Sequence, residues 1–215
     1  MSPHSKYFCL FLLLCLVGCS QFPSPPSTLT SLLYDRNHKA IYRMRVPEDW
    51  IRRDPLPDES LSDTTKAICE FIINDPEGKI RITIHNFPSS KMEERIPPAA
   101  QVARWQRQFE ELAPHQSSTV SQVFNGYVGV LFTGTGIIQK QNKEVTVMGW
   151  SLQLAPQHYQ TLSHTTLFDT QTLEQMRSDI TIKAVGPPSL MEHYQSALIN
   201  MARSFELIEE IPSRT

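Results

Sequence analysis

Apolar and polar residues alternate along three stretches in the first half of the chain, residues 39–46, 66–73 and 79–86. Alternation with a period of two is typical of β-strands that bury one face. The side chains expected on the buried face are Ala40, Tyr42, Met44, Val46, Ala67, Cys69, Phe71, Ile73, Ile80, Ile82 and Ile84. Turn residues fill positions 74–78, where Gly78 is able to take a positive φ, so the second and third stretches are expected to form a hairpin.

Helical spacing replaces this alternation between Pro97 and Pro114. Proline is favoured at the start of a helix and excluded from its interior, which bounds a predicted helix. Its expected apolar stripe consists of Val102, Trp105, Phe109 and Leu112. Further strands are predicted at 118–124, 127–135 and 144–154, and the first two are joined by Asn125-Gly126, a strong two-residue hairpin signal.

The last part of the chain predicts a short helix over 170–178, a strand over 180–185 and a closing helix. The closing helix is expected to begin with a capping box formed by Ser189 and Glu192. Its apolar side chains recur at helical spacing: Leu190, Tyr194, Ala197, Met201 and Phe205. The sequence therefore predicts an α+β fold, a mostly antiparallel twisted sheet with helices packed on it, in a single domain over residues 39–215.

The first eighteen residues have the pattern of an export signal. Lys6 supplies positive charge, and an apolar run extends from Tyr7 to Val17. This run is shorter than the roughly 20 residues that a spanning helix needs, and it fits the apolar region of a signal peptide. Residues 16–19, Leu-Val-Gly-Cys, resemble the lipobox of bacterial lipoproteins, in which the cysteine is lipidated and becomes the first residue. The alternative is an ordinary signal peptide with Cys19 incidental.

The lipobox resemblance implies a firm membrane anchor. Each buried methylene contributes about 0.8 kcal/mol, and several acyl chains on Cys19 make dissociation negligible. Ser20 follows the cysteine, which resembles sorting to an outer membrane facing the periplasm. Residues 19–38 are expected to be the lipidated cysteine and a Pro/Ser-rich tether, because the run at 22–28 favours extended polyproline conformations.

Charge and cysteine content narrow the functional classes. The formal net charge of −2 gives no reason to expect a nucleic-acid partner, since such proteins carry a concentrated basic surface. Cys9 and Cys15 leave with the signal and Cys19 is acylated, so Cys69 is the one thiol expected to remain. An intrachain disulfide is then excluded, and stability must come from apolar packing.

Three short motifs resemble the PsbP-like (Mog/PsbP) superfamily. Residues 42–50 are similar to its opening strand and Pro-x-x-Trp turn, residues 201–205 to its terminal helix, and Asn125-Gly126 to the turn before its long strand. The resemblance spans most of residues 39–208. It implies an α-β-α sandwich around an antiparallel sheet, in a superfamily whose members mostly act as binding or assembly modules.

Signatures of catalysis are absent from the sequence. There is no Gly-x-Ser-x-Gly elbow, no His-Glu-x-x-His and no Cys-x-x-Cys, and Gly134-Thr135-Gly136 ends a strand without a helix to receive phosphate. Weak candidates remain, each with a more ordinary interpretation. His158, His164 and Asp169 would ligate a metal only if their loop folded back, Cys69 is expected in the core, and Trp50, Trp105 and Trp150 are expected to pack rather than stack on a ligand.

Basic residues make the one candidate binding surface. The predicted patch consists of Arg43, Arg45, Arg52, Arg53, Lys79, Arg81 and His85, which are expected on or beside the outer faces of two strands. Such a patch attracts anionic headgroups or an acidic partner, and the alternative is a solvated or helix-covered sheet face.

The favoured hypothesis is a non-catalytic, lipid-anchored envelope module that binds a protein partner or aids complex assembly, with no cofactor. The other hypothesis is a carrier or sensor of a small apolar ligand held between sheet and helix.

Overall fold

The computed structural model describes residues 27–34, 40–53, 67–87, 95–139, 143–155 and 179–208. Its elements, in chain order, are β1 (Thr28–Tyr34), β2 (Ala40–Pro47), β3 (Ile51–Arg53), β4 (Cys69–Asp75), β5 (Gly78–Phe87), α1 (Pro98–Gln106), β6 (Phe109–Phe124), β7 (Tyr127–Ile138), β8 (Glu144–Leu154), β9 (Asp179–Gly186), α2 (Pro188–His193), α3 (Gln195–Arg203) and β10 (Glu206–Leu207). The predicted helix over 170–178 lies outside the described residues.

Two antiparallel sheets organise these elements. The large sheet has seven strands in the order β3-β4-β5-β9-β8-β7-β6, and the small sheet has three in the order β1-β2-β10. All of their pairings are antiparallel. The mostly antiparallel α+β fold that the sequence predicts is therefore confirmed.

The large sheet buries both of its faces, but not equally. We call the face that carries Ile82, Trp150 and Ile182 the main-core face; the small sheet, α2 and α3 pack against it. The opposite face, which we call the α1 face, packs a smaller cluster around Trp105 and Phe132. A Cβ atom at position 149 would lie 2.4 Å from the Trp105 ring, so Gly149 is what lets α1 approach β8.

Both predicted hairpins are present. In the β4–β5 hairpin Asp75 pairs with Gly78, whose φ of 148° is positive as expected. In the β6–β7 hairpin Phe124 pairs with Tyr127, and Asn125 and Gly126 take φ values of 49° and 81°. Positive φ at both central residues is what a two-residue hairpin turn of type I′ requires.

The predicted inward faces of the first strands are also confirmed. Tyr42, Met44 and Val46 are buried on β2, as are all four expected positions on residues 67–73 and all three on β5. The strand over 144–154 has the predicted bounds.

Part of the predicted tether is instead a strand. β1 pairs with β2 from Thr28 opposite Pro47 to Tyr34 opposite Ala40, and Leu33 is fully buried in the main core. The prediction of an unpacked tether over 20–38 was therefore wrong for residues 28–34. The physical reason is that the backbone of β2 needs a hydrogen-bonding partner on this side, which β1 supplies.

The helix predicted between Pro97 and Pro114 ends early, at Gln106. Phe109 and Leu112 belong to β6, where Phe109 pairs with Ile138 and packs edge-on against Phe132. Pro114 lies where the β6–β7 register shifts, on an edge strand, and edge strands and bulges are where a sheet tolerates proline. Pairing with β7 therefore places Phe109 and Leu112 in a strand, although their spacing also suits a helix.

The closing helix also differs from its prediction. It is divided at Tyr194 into α2 and α3, and α2 begins at Pro188 with Pro187 as its N-cap and no side-chain capping bond. The predicted capping box is therefore wrong. Pro188 fits the first helical position because it has no N–H to satisfy there. Two short strands, β3 and β10, lack the alternation needed to predict them.

Candidate functional site

The predicted basic patch is divided between the two sheets. Arg43 and Arg45 belong to β2 of the small sheet, whereas Lys79 and Arg81 belong to β5 of the large sheet. Five of the seven residues form two groups, each with its own acidic or carbonyl partners, and Lys79 and His85 belong to neither group.

The first group lies over β1 and β2. Arg43 donates from Nε to Oε1 of Glu206 at 2.7 Å, and both side chains are largely exposed. Arg52, although on β3, reaches the Leu32 carbonyl oxygen at 2.7 Å. Leu32 pairs with Arg43 across the β1–β2 ladder, so Arg52 bonds to the residue that pairs with Arg43. Arg45 is exposed beside them.

The second group surrounds a buried carboxylate. Glu70 is fully buried on β4, and its Oε1 accepts from Nε of Arg53 at 2.9 Å and from Nε of Arg81 at 2.8 Å. Nη2 of Arg81 also reaches Oε2 at 3.0 Å. A buried carboxylate requires such charged donors, because burial without them is strongly unfavourable. Arg53 and Arg81 therefore hold the fold together at the β3 side of the sheet.

The last two members of the patch differ in exposure. Lys79 is exposed beside the β4–β5 turn, whereas His85 is only 4% exposed. His85 lies on the face of β5 opposite Ile84, as alternation predicts, but the expectation that it belongs to an exposed patch was wrong, because this face is also covered at this end of β5. The segment leading into α1 is held here by Arg95, whose Nη2 lies 2.6 Å from Oδ1 of the buried Asp179.

The weak candidates for chemistry do not form a site among the described residues. Cys69 is fully buried, and its thiol points to the Glu70 carbonyl oxygen at 3.8 Å. Over the described ranges, no group of three or more His, Cys, Asp or Glu side chains could hold a metal ion. His158, His164 and Asp169 lie outside those ranges. The three tryptophans are buried in core clusters on opposite faces of the large sheet, Trp50 and Trp150 on one and Trp105 on the other.

A different surface stands out at the far side of the large sheet. β6 is the last strand in the sheet order, and among the described strands only β7 pairs with it. We call its residues Ser118–Phe124 the β6 edge. Within it Val120 is 54% exposed and Val123 is 77% exposed, and no charged residue occurs anywhere between His115 and Lys140.

The backbone of the β6 edge presents hydrogen-bonding groups outward. Phe124 and Tyr127 flank the two-residue turn and bond to each other, and outward and inward residues then alternate along an antiparallel strand. Thr119, Ser121 and Val123 accordingly direct their N–H and C=O groups away from β7. In agreement, the Ser121 carbonyl oxygen accepts from the neighbouring Gln122 side chain at 3.0 Å.

The tip of the β6–β7 hairpin is fixed to the end of α3. Nδ2 of Asn125 donates to the carbonyl oxygens of Arg203 and Phe205, each at 2.9 Å. The ring of Tyr127 packs edge-on against Phe205 with a centroid distance of 5.6 Å. Burial raises the pKa of Tyr127 well above its ordinary value, so the phenol stays neutral in the core. These contacts fix the tip of the β6–β7 hairpin to the rest of the domain.

Sequence reasoning predicted part of this strand but not that it lies at the edge of the sheet. The available signal was the long uncharged stretch between His115 and Lys140. Its importance depends on β6 being an edge strand, which the strand order alone decides.

Among the residues that the structure describes, no helix is long and apolar enough to cross a membrane.

The chain is similar to solved structures at low sequence identity. No family model matches the chain, and no curated protein matches it. One similar solved structure is LpqN of Mycobacterium tuberculosis, described as involved in cell envelope biogenesis, with 13% identity, a TM-score of 0.49, and coverage of 84% of this chain and 91% of LpqN. Another is the cyanobacterial PsbP (CyanoP) of Synechocystis sp. PCC 6803, with 14% identity, a TM-score of 0.40, and coverage of 89% and 98%.

Proposed function

We propose that this chain is a non-catalytic, lipid-anchored module of the bacterial cell envelope that binds protein by strand addition at the β6 edge. The observation that carries the proposal is the long, uncharged and exposed edge of an otherwise well-packed sheet. Strand addition uses backbone hydrogen bonds for affinity and alternate side chains for specificity. The β6 edge presents outward N–H and C=O groups as well as exposed side chains.

Natural proteins usually protect such an edge. Lysine, proline, bulges or a covering helix prevent pairing with other chains. The β6 edge has no charge and no proline, and its register with β7 is regular from Ser118 to Phe124. Among the described strands only β7 pairs with this edge, and an edge without lysine, proline or a bulge is expected where a strand of another chain adds to it.

The proposed anchor would keep the domain near a membrane. Lipidation at Cys19 leaves only residues 20–27 before β1. At full extension these residues limit the distance between the lipidated cysteine and β1 to about 30 Å. The domain would then work beside the bilayer, in the envelope, and the Ser20 signal favours an outer membrane facing the periplasm.

The binding proposal is tested by a matched pair of substitutions at the two edges of the large sheet. Val123→Lys adds a charge to the β6 edge, and Ile51→Lys adds the same charge to β3, where Ile51 is 53% exposed. The full-length tagged chain is purified from its native membrane in each form, and co-purifying proteins, other copies of this chain included, are quantified by mass spectrometry.

We expect Val123→Lys to lower the amount of the co-purifying partner about tenfold, since a lysine on an edge strand blocks pairing. Ile51→Lys should retain it. Equal retention by both variants would overturn the proposed binding site.

The anchor is tested separately. In a bacterial host, the full-length chain should enter the detergent phase and carry an acyl mass increment on Cys19, and Cys19→Ser should release it or block its maturation. Equal membrane retention of the two forms would contradict lipidation at this position.

A further inference from the structure

Building on the proposed function, we infer that the strand added at the β6 edge is the β6 edge of a second copy of this chain. The two copies would form a two-fold dimer in which the large sheets join into one continuous antiparallel sheet. Such an isologous interface uses the same surface on both subunits.

The edge is self-complementary in its backbone. A two-fold axis through Ser121 places Ser121 opposite Ser121 of the second copy, and Thr119 opposite Val123. These are the residues whose N–H and C=O groups point away from β7, and each such pair in an antiparallel ladder exchanges both of its N–H···O bonds. The Gln122 amide, which now covers the Ser121 carbonyl oxygen, would be displaced by the incoming N–H.

The side chains are compatible with the same register. Thr119 would lie beside Val123 on the α1 face, and Val120 beside Gln122 on the main-core face. Two β-branched residues in the first pair suit cross-strand packing. Because the edge has no charge, pairing it with itself brings no like charges together.

The position of the anchors supports a second copy as the occupant. β1 belongs to the small sheet, and the small sheet packs on the main-core face of the large sheet. A two-fold axis perpendicular to the joined sheet leaves that face on the same side in both copies. The residues that lead back from Thr28 to Cys19 therefore start on one side of the dimer, and both lipids can enter one membrane.

The other edge of the sheet does not offer this symmetry. β3 has only three residues, and two of them are Arg52 and Arg53. Pairing β3 with itself would oppose like charges, which is unfavourable.

The test compares two double variants of the full-length lipidated chain. Thr119→Lys with Val123→Lys places lysine opposite lysine twice across the proposed interface. Thr119→Glu with Val123→Lys places glutamate opposite lysine twice. Both variants put two charged side chains at the same exposed positions, so they differ only in the sign of one charge. Each is co-expressed with two different tags, one tag is captured from detergent-solubilised membranes, and the amount of the other tag is measured.

We expect the lysine–lysine variant to reduce capture of the second copy by at least about tenfold, and the glutamate–lysine variant to stay within about threefold of the unsubstituted chain. Capture of a second copy that is equal in all three forms would overturn self-pairing at this edge. So would an equal loss in both variants, because a neutral partner strand of a different protein does not distinguish the two charge patterns.

Failure of this inference is separable from failure of the proposed function. If the unsubstituted chain captures no second copy but loses another co-purifying protein on Val123→Lys, self-pairing is wrong and strand addition stands. If neither a second copy nor any other protein depends on the β6 edge, both are wrong.

Discussion

The two edges of the large sheet are protected in opposite ways. β3 closes one side with three residues, and its Arg53 is tied to the buried Glu70. β6 closes the other with 16 residues, and its last part, the β6 edge, has exposed valines and no charge. Both strands stand at an end of the described strand order, so their length and charge make the difference.

At one edge charge serves stability, and at the other, under the proposed function, its absence permits association. At the β3 side, arginines satisfy a buried carboxylate and at the same time discourage strand pairing. At the β6 side, the contacts of the hairpin tip with the end of α3 and with Phe205 supply stability without using the β6 edge. Three predictions test this division, beginning with the largest effect.

The largest effect is expected at the β3 side, where stability should depend on the ion pairs of Arg53 and Arg81 with Glu70. Arg81→Gln removes two charged donors from the buried Glu70 and should lower the free energy of unfolding by about 2 to 3 kcal/mol. Lys79→Gln, an exposed change on the same face of β5, is the matched control and should stay within about 0.5 kcal/mol. Denaturant unfolding measures both, and equal effects would contradict the structural role of the Arg81–Glu70 pair.

At the β6 side, stability should depend on the Asn125-Gly126 turn of the β6–β7 hairpin. Asn125→Ala loses the two hydrogen bonds to α3 and places alanine at a φ of 49°, so we expect a loss of about 2 kcal/mol. Asn125→Gly tolerates that φ and should lose only about 1 kcal/mol, the part due to the hydrogen bonds. Thermal and denaturant unfolding separate the two variants. If glycine were as harmful as alanine, backbone conformation would contribute nothing.

The smallest effect is expected at Cys69, on the strand next to β3. Its thiol should resist an alkylating reagent in the native protein and react after unfolding, as read by peptide mass spectrometry at this residue. Cys69→Ala should lower stability by about 1 kcal/mol through a small cavity. Fast alkylation of Cys69 in the native protein would show that the sheet opens readily at the β3 side. The contrast between a stable β3 side and an accessible β6 edge would then be weaker.

The same contrast changes how the predicted basic patch should be tested. If the whole patch were exposed, replacing Arg43, Arg45 and Arg81 together with glutamate would test it directly. However, Arg81→Glu would place a carboxylate against the buried Glu70, and the fold would lose stability for that reason alone. Arg43 and Arg45 are exposed and can be changed together, so a binding role for that part of the patch remains a prediction.

The sequence by itself determined the local structure wherever one physical signal acted alone. Period-two alternation placed Ile80, Ile82 and Ile84 in the core, since side chains on a strand alternate between its faces. The Asn125-Gly126 turn followed from the positive φ values that this hairpin requires.

Tertiary structure decided the rest, because there a long-range partner competed with a local preference. Phe109 has helical spacing from Trp105, yet pairing with Ile138 drew it into β6. Glu70 falls on the outward-facing side of β4 and is nevertheless buried, because Arg53 and Arg81 come from other strands to pair with it. The role of the β6 edge depends in the same way on strand order, which only the assembled sheet defines: an uncharged stretch is an interior strand in one order and an open edge in another.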